Sequence, residues 1–171
     1  MVALERYLNS FGKSVVNKAK GILKRKKKVV SGDLLNSIKF RIKKDKENLS
    51  VEFFMADYGT FMDKGVSGTN VKRYYVDYKG QRKESPYKYT NKRPPMSLLD
   101  KWIVRRGIAP RDTQGRFTTR KSLQYLISNK IYTKGIEGIS FFQKPLQLEL
   151  RGFYDKVGKA VKQDIENIIT K

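Results

Sequence analysis

The chain has 171 residues, of which 39% are hydrophobic and 32% are charged, and its formal net charge is +22. This length fits one domain with a single core, and so positive a charge implies an acidic partner, either a nucleic acid or an acidic protein neighbour. The absence of Cys and His excludes disulfides, thiolate metal sites and imidazole catalysis. Because we find neither a signal peptide nor an apolar run of about 20 residues, we expect a protein made in the cytoplasm.

The N-terminal segment is predicted to be one amphipathic helix. Its apolar residues keep to a single stripe over residues 2–23. Gly12 and Gly21 weaken this helix, so we expect it to gain its stability by docking. The basic run Lys24–Lys28 follows directly. It is either the solvated end of the helix, where cations are favourable, or a contact with nucleic acid.

Two predicted strands come next, after a single apolar helical turn with Ser31 or Asp33 as its N-cap. Residues 38–44 alternate between apolar and basic side chains, which is the pattern of a half-buried strand. Residues 49–55 alternate likewise, and the polar turn at 45–48 makes the two strands an antiparallel hairpin. The cations predicted to face outward on the first strand are Lys39, Arg41 and Lys43.

The second predicted strand passes into a short helix, whose apolar residues fall on one face at helical spacing. Gly65 stands where a left-handed C-cap would end this helix. We expect the aromatic side chains of the segment 49–68 to belong to the core, and Asp57 and Asp63 to be helix caps or surface groups. The apolar face of the helix consists of Tyr58, Phe61 and Met62.

The composition changes over residues 69–95, where tyrosines are interleaved with cations and the apolar periodicity is poor. The pattern allows one regular element, a strand at 74–78 followed by a turn near Lys79 and Gly80. Tyrosines among cations suit a protein interface, and they also suit base stacking and phosphate binding. We favour the protein interface, because no RNA- or DNA-reading motif frames the tyrosines.

Three helices are predicted in the remainder of the chain. The first follows Pro95 and ends at Gly107, with Trp102 as a core residue or a docking anchor. The second runs over residues 119–132, and the third is one long amphipathic helix over residues 146–169. The residues of their apolar stripes are Leu98, Leu99, Trp102 and Ile103, then Leu123, Leu126, Ile127 and Ile131, then Leu150, Phe153, Val157, Val161, Ile165 and Ile168.

These elements predict an α+β fold, in which a small antiparallel β-sheet is flanked by amphipathic N- and C-terminal helices. A long basic, Tyr-rich insertion at about 69–138 interrupts this core. The chain shows no internal repeat and no low-complexity linker. We therefore expect residues 1–171 to form a single domain.

Candidate catalytic groups are few. Asp57 and Asp63 could hold Mg²⁺ for nuclease chemistry, but no third acid joins them and a helix would put them on different faces. The glycine-rich segment 65–69 lacks the Gly-Lys-Ser/Thr end of a phosphate loop, and no G-x-S-x-G elbow occurs. We therefore expect no catalytic residue, no cofactor and no metal, and we do not expect the protein to be an enzyme.

The predicted contact residues lie in three segments: the basic run, the outer face of the first strand and the Tyr-rich segment. We expect them to contact nucleic acid or a protein partner. They are Lys24, Arg25, Lys26, Lys27, Lys28, Lys39, Arg41, Lys43, Lys72, Arg73, Tyr74, Tyr75, Arg82, Lys83, Tyr87 and Tyr89.

Three separated segments carry motifs in a particular order: Gly32–Ile38, Ala56–Gly65 and Phe141–Leu146. The first is a G-x-L-x-x-S-I turn before a strand. The second is a strand that leads into a short helix, which contains Tyr and ends with an acidic residue, one further residue and Gly. The third is a Phe-x-x-Pro-Leu sequence at the start of the C-terminal helix. In this order the motifs resemble the tail-completion, or head–tail joining, proteins of tailed bacteriophages, over about half of the chain.

This resemblance implies a structural virion protein of the phage neck, a tail-terminator-like subunit. Such a protein forms a ring of roughly six or twelve identical subunits, which joins the portal or connector of the head to the tail proteins. The ring lines or surrounds the DNA channel, touches genomic DNA without sequence specificity, and involves neither a membrane nor catalytic residues. The residues themselves leave two alternatives: a sequence-independent nucleic-acid-binding protein and, ranked last, a metal-dependent nuclease that uses Asp57 and Asp63.

Overall fold

A computed structural model describes residues 2–45 and 48–170 of the chain. Over that part the protein is α+β, with helices at both ends and two small two-stranded sheets, which confirms the predicted fold class. The helices are α1 (Val2–Arg25), α2 (Asp33–Ser37), α3 (Tyr58–Lys64), α4 (Met96–Arg105), α5 (Arg120–Lys134), α6 (Gln143–Leu150) and α7 (Phe153–Ile169). The strands are β1 (Lys39–Lys44), β2 (Leu49–Phe54), β3 (Tyr74–Val76) and β4 (Arg82–Glu84).

The chain divides into two compact units. The first comprises residues up to 59, residues 76–81 and the chain from 140 onward, and the second comprises residues 60–75 and 82–139. The second unit thus occupies most of the stretch predicted as an insertion at 69–138. That the whole chain folds as a single domain stays a prediction.

The first unit is built around the predicted apolar stripe of α1. The ring of Phe11 lies 4.9 Å from that of Phe153 and 6.3 Å from that of Phe53, and Phe53 in turn lies 5.3 Å from Phe142. Aromatic contacts of this kind join α1, β2, α7 and the segment before α6 into one core. The buried apolar residues of α1 are Leu8, Phe11, Val15, Val16, Ala19 and Leu23.

The predicted hairpin is confirmed, but the predicted cap of the turn before it is wrong. β1 and β2 pair antiparallel, with Arg41 opposite Glu52. The N-cap position of α2 is Gly32, at φ 86°, rather than Ser31 or Asp33. Those two side chains bind each other instead, because the Ser31 hydroxyl donates to Asp33 Oδ2 over 2.5 Å.

The two glycines of α1 differ, although the sequence predicts that both weaken the helix. A Cβ at Gly12 would overlap the Phe40 ring, whereas nothing lies within 4 Å of a Cβ at Gly21. We expect Gly12→Ala to destabilise the protein by about 1–3 kcal/mol through overpacking. Gly21→Ala should stabilise it by about 0.5–1 kcal/mol through helix propensity. Urea unfolding followed by circular dichroism measures both, and shifts of the same sign would contradict this assignment.

The predicted single helix over 146–169 is wrong, because the chain breaks between α6 and α7. Arg151 is extended and Gly152 is left-handed at φ 70°, a conformation that favours glycine and that no α-helix contains. Helix α6 also begins before Pro145, at Gln143. A proline is tolerated there because the amides of the first turn have no partner within the helix.

In the second unit α4 packs on α5, but with fewer inward residues than the periodicity predicts. The Ser128 hydroxyl donates to the Pro94 carbonyl over 2.8 Å, and Ser128 and Ile103 are buried. In contrast, Leu98 is 69% exposed and Leu126 is 63% exposed. Trp102 is 37% exposed, so it is not a core residue.

Helix α3 ends as predicted, with Gly65 left-handed at φ 76° and its amide donating to the Phe61 carbonyl over 2.9 Å. The roles predicted for its side chains are partly reversed. Tyr58 and Phe61 are exposed, so they do not belong to the core. Asp63 is buried at 2% exposure, so it is not a surface group.

Candidate contact surfaces

The basic run Lys24–Lys28 is exposed along its whole length and forms the C-terminal end of α1. The amide of Lys28 donates to the Leu23 carbonyl and that of Lys27 to the Lys24 carbonyl, both over 3.0 Å. With Lys27 left-handed at φ 51°, this is a Schellman cap without its usual glycine. The run is therefore a solvated helix end, where cations stabilise the helix dipole. Its contact with nucleic acid stays a prediction.

The three predicted outward cations of β1 are exposed, but two of them are paired with carboxylates. Arg41 Nη2 lies 2.6 Å from Glu52 Oε2, and Lys43 Nζ lies 3.3 Å from Asp45 Oδ2. The hydrogen bond from Arg41 lowers the pKa of Glu52. This face of Lys39, Arg41 and Lys43 therefore offers a phosphate less free positive charge than the sequence suggests.

The second hairpin, β3 and β4, brings together several predicted contact residues of the Tyr-rich segment. Lys72 Nζ lies 3.1 Å from Glu84 Oε2, and the Arg82 guanidinium lies 4.5 Å from the centre of the Tyr74 ring. The hydrogen bond to Glu84 raises the pKa of Lys72. Arg73 Nε donates to the Lys134 carbonyl over 2.9 Å. Lys83, on β4, is exposed.

The tyrosines of this segment pack against neighbours within their unit. The Tyr87 ring meets the Phe61 ring edge-on at 4.5 Å, and the Tyr89 ring lies 6.4 Å from that of Tyr132. Burial raises the pKa of Tyr89, and Lys64 Nζ lies 5.7 Å from the centre of the Tyr75 ring. Base stacking needs open ring faces, so these contacts favour a packing role for the three half-buried tyrosines.

Two exposed apolar surfaces are absent from the predicted contact residues. One lies on α4, with Leu98 and Trp102, and the other at the C-terminal end of α7, with Ile165, Ile168 and Ile169. The periodicity reveals Leu98, Trp102, Ile165 and Ile168 as parts of apolar stripes, which normally face the core, but it does not include Ile169. Only the partner helix decides whether a stripe is covered.

The exposed end of α7 results from the way α7 meets α1. The Asp164 carboxylate accepts hydrogen bonds from the amides of Ala3 (2.9 Å) and Leu4 (3.0 Å), so it caps the start of α1. Helix α7 continues to Ile169, about 7.5 Å beyond this cap. We call this part of α7, with the exposed Ile165, Ile168 and Ile169, the α7 overhang. Ile168 is 68% exposed there.

Among the described residues, no group of three or more acids could hold a metal ion. No described helix is both long and apolar enough to span a bilayer. In comparisons with known proteins, no family model, no curated protein and no solved structure matches this chain.

Proposed function

We propose that the protein is a structural component of the virion neck of a tailed bacteriophage. Copies of the chain assemble into a ring of roughly six or twelve subunits that joins the portal or connector to the tail. The three ordered motifs at 32–38, 56–65 and 141–146 support the class of protein. The overhang of α7 is the observation that supports self-assembly.

The overhang supports assembly because a monomer leaves its isoleucines in water. Ile165, Ile168 and Ile169 are all exposed, and burying an isoleucine fully is worth about 1.5–3 kcal/mol. A neighbouring subunit that covers them completes the apolar stripe that α1 covers only in part. When such a contact joins different surfaces of identical subunits, repetition closes a ring if the rotation between subunits allows it.

The charge of the chain fits a ring that surrounds DNA. A net charge of +22 per subunit attracts the phosphate backbone without reading its sequence. The fully exposed run Lys24–Lys28 is the densest group of cations in the chain. In the proposed neck, these lysines and arginine screen the phosphates of DNA passing through the channel.

Electron microscopy and light scattering of the purified full chain test the ring. At physiological salt we expect closed rings in negative stain, and a mass that is a fixed multiple of the subunit mass. Ile168→Lys should shift the mass to that of the monomer, because it places a charge in the covered stripe. Leu126→Lys is the matched control, since Leu126 is similarly exposed at 63% but lies on α5; it should leave the rings intact.

A strictly monomeric chain that is missing from virions would overturn this proposal. If that monomer bound duplex DNA with a steep loss of affinity as salt rises, the alternative would hold instead. That alternative is a sequence-independent nucleic-acid-binding protein, which the net charge of +22 favours. Antibody labelling of virions distinguishes the two, because a neck protein, made in the host cytoplasm, should be found at the head–tail junction.

A further inference from the structure

Helix α4 presents two different pairs of side chains to solvent. Ile103 is the buried residue of this helix, and the residues on the far side from it are exposed. Leu98 and Trp102 stand one turn apart there, so they are neighbours on the helix surface. Lys101 and Arg105 stand one turn apart beside them. We call these four residues the α4 face.

The chain segment that contains α4 is strongly basic. Residues 92–121 include nine Lys or Arg and only two acids, Asp100 and Asp112. Asp100 Oδ1 accepts a hydrogen bond from Gln124 Nε2 over 2.7 Å, and Asp112 Oδ1 accepts from the amides of its own turn. Both carboxylates are therefore engaged within the unit, while Lys101 and Arg105 are exposed.

We propose that the α4 face is a docking site for an acidic amphipathic helix of another protein. A helix of that kind places apolar side chains one turn apart, opposite Leu98 and Trp102, and carboxylates beside them, opposite Lys101 and Arg105. Trp and Arg are the residues most often found at the energetic centres of protein interfaces. The site is independent of ring assembly, because it uses none of the residues of the α7 overhang.

Other occupants match the α4 face less well. Helix α4 has 10 residues, about 15 Å of helix, which is short for a helix lying in a membrane interface. Duplex DNA would pair with the cations and leave Leu98 and Trp102 without a partner. The α4 face of a second copy would bring its own Lys101 and Arg105 against the same cations, and like charges oppose that pairing.

Fluorescence of Trp102, the single tryptophan of the chain, reports docking directly. The full chain is titrated with a synthetic amphipathic helix of leucine and glutamate, about five turns long. We expect the emission maximum to move to shorter wavelength and the titration to saturate. The same peptide with lysine in place of glutamate should cause no change, and neither should polyglutamate, which lacks the apolar side chains.

Matched variants connect the signal to the α4 face. Leu98→Ser and Arg105→Glu should each weaken peptide binding about tenfold or more. Leu148→Ser on α6 and Lys159→Glu on α7 change an exposed leucine and an exposed lysine outside the α4 face, and should leave the affinity unchanged. Since the side chains of Leu98 and Arg105 are exposed, thermal melts should confirm that both variants fold.

Several results would overturn the docking proposal. Equal binding of polyglutamate would mean that charge alone acts, and equal binding of the lysine peptide would mean that charge plays no part. A response only to phosphatidylglycerol vesicles, only to duplex DNA, or only to rising protein concentration would identify a membrane, a nucleic acid or a second copy as the occupant. No response to any of these probes would also reject the site, whether or not the chain forms rings.

Discussion

Gly138→Ala is expected to lower the free energy of unfolding by about 3 kcal/mol, because its Cβ has no room. That atom would lie 2.6 Å from the Lys64 carbonyl carbon, 2.7 Å from the Gly65 nitrogen and 2.8 Å from the Asp63 carbonyl oxygen. All three are backbone atoms, which cannot rotate away as a side chain can. The backbone at residues 63–65 and the backbone around Gly138 must move apart before an alanine fits.

The segments cannot separate freely, because hydrogen bonds hold them together on both sides of the glycine. Val66 and Ile136 exchange two backbone hydrogen bonds of 2.8 Å, and the Ile139 amide donates to the Met62 carbonyl over 3.0 Å. A Cβ at Gly65 would in turn lie 2.6 Å from the Gly138 nitrogen. Moving the backbone to admit one methyl group therefore weakens several of these bonds.

Chemical denaturation of the full chain measures this effect, with Gly158→Ala as control. Gly158 lies inside α7 with nothing within 4 Å of a Cβ. Its replacement should stabilise the protein by about 0.5–1 kcal/mol through helix propensity. If Gly138→Ala were as stable as the native chain, the close crossing of the two segments would be wrong.

Asp164→Asn is expected to lower the thermal midpoint at neutral pH by roughly 3–6 °C. Asp164 is buried and accepts the amides of Ala3 and Leu4 at the start of α1. Asparagine offers one acceptor oxygen, and its amide group would face the second N–H donor. One buried amide of α1 is then left without a partner.

The effect of Asp164→Asn should depend on pH. Hydrogen bonds from the amides of Leu4 and Ala3 lower the pKa of Asp164 in the folded protein. Its contribution to stability is therefore complete above the unfolded pKa, about 4, and is lost as the pH falls through the lower folded value.

Burial alone would raise the pKa of Glu149, but hydrogen bonds from Lys18 and Ser14 outweigh it and lower that pKa too.

Thermal melts at pH 7 and pH 3 separate the contribution of Asp164 from that of other carboxylates. The native chain and Asp164→Asn should differ at pH 7, and the difference should shrink at pH 3. Glu166→Gln, which removes an exposed carboxylate 3.8 Å from Lys162 Nζ, should change the midpoint little at either pH. A difference between the native chain and Asp164→Asn that is constant across pH would argue against the capping role.

Much of the secondary structure could be predicted from the sequence, because it depends on neighbours within a few residues. The alternation of 38–44 and 49–55 predicts the β1–β2 hairpin, and Gly107 predicts the end of α4. Gly107 is left-handed at φ 62°, and the next amide, that of Ile108, donates to the Ile103 carbonyl over 3.2 Å. The periodicity does not reveal the break at Gly152, because the apolar stripe continues across it.

The contact surfaces could be predicted only in part. Charge keeps the basic run Lys24–Lys28 in water whatever the fold, and its exposure follows from composition. That the tyrosines contact a partner stays a prediction, and the sequence does not reveal their packing, because their neighbours in the fold are distant in the chain. Tyr87 meets Phe61 and Tyr89 meets Tyr132, and no local pattern predicts either pair.

By itself the sequence determined the charge of +22, the lack of Cys and His and the apolar stripes of the helices. Only the tertiary structure decided which parts of those stripes are covered. Periodicity defines the face of a helix, whereas coverage depends on where the partner helix begins and ends. On α4, Ile103 is buried while Leu98 is exposed, and on α7, Ala160 is buried while Ile168 is exposed.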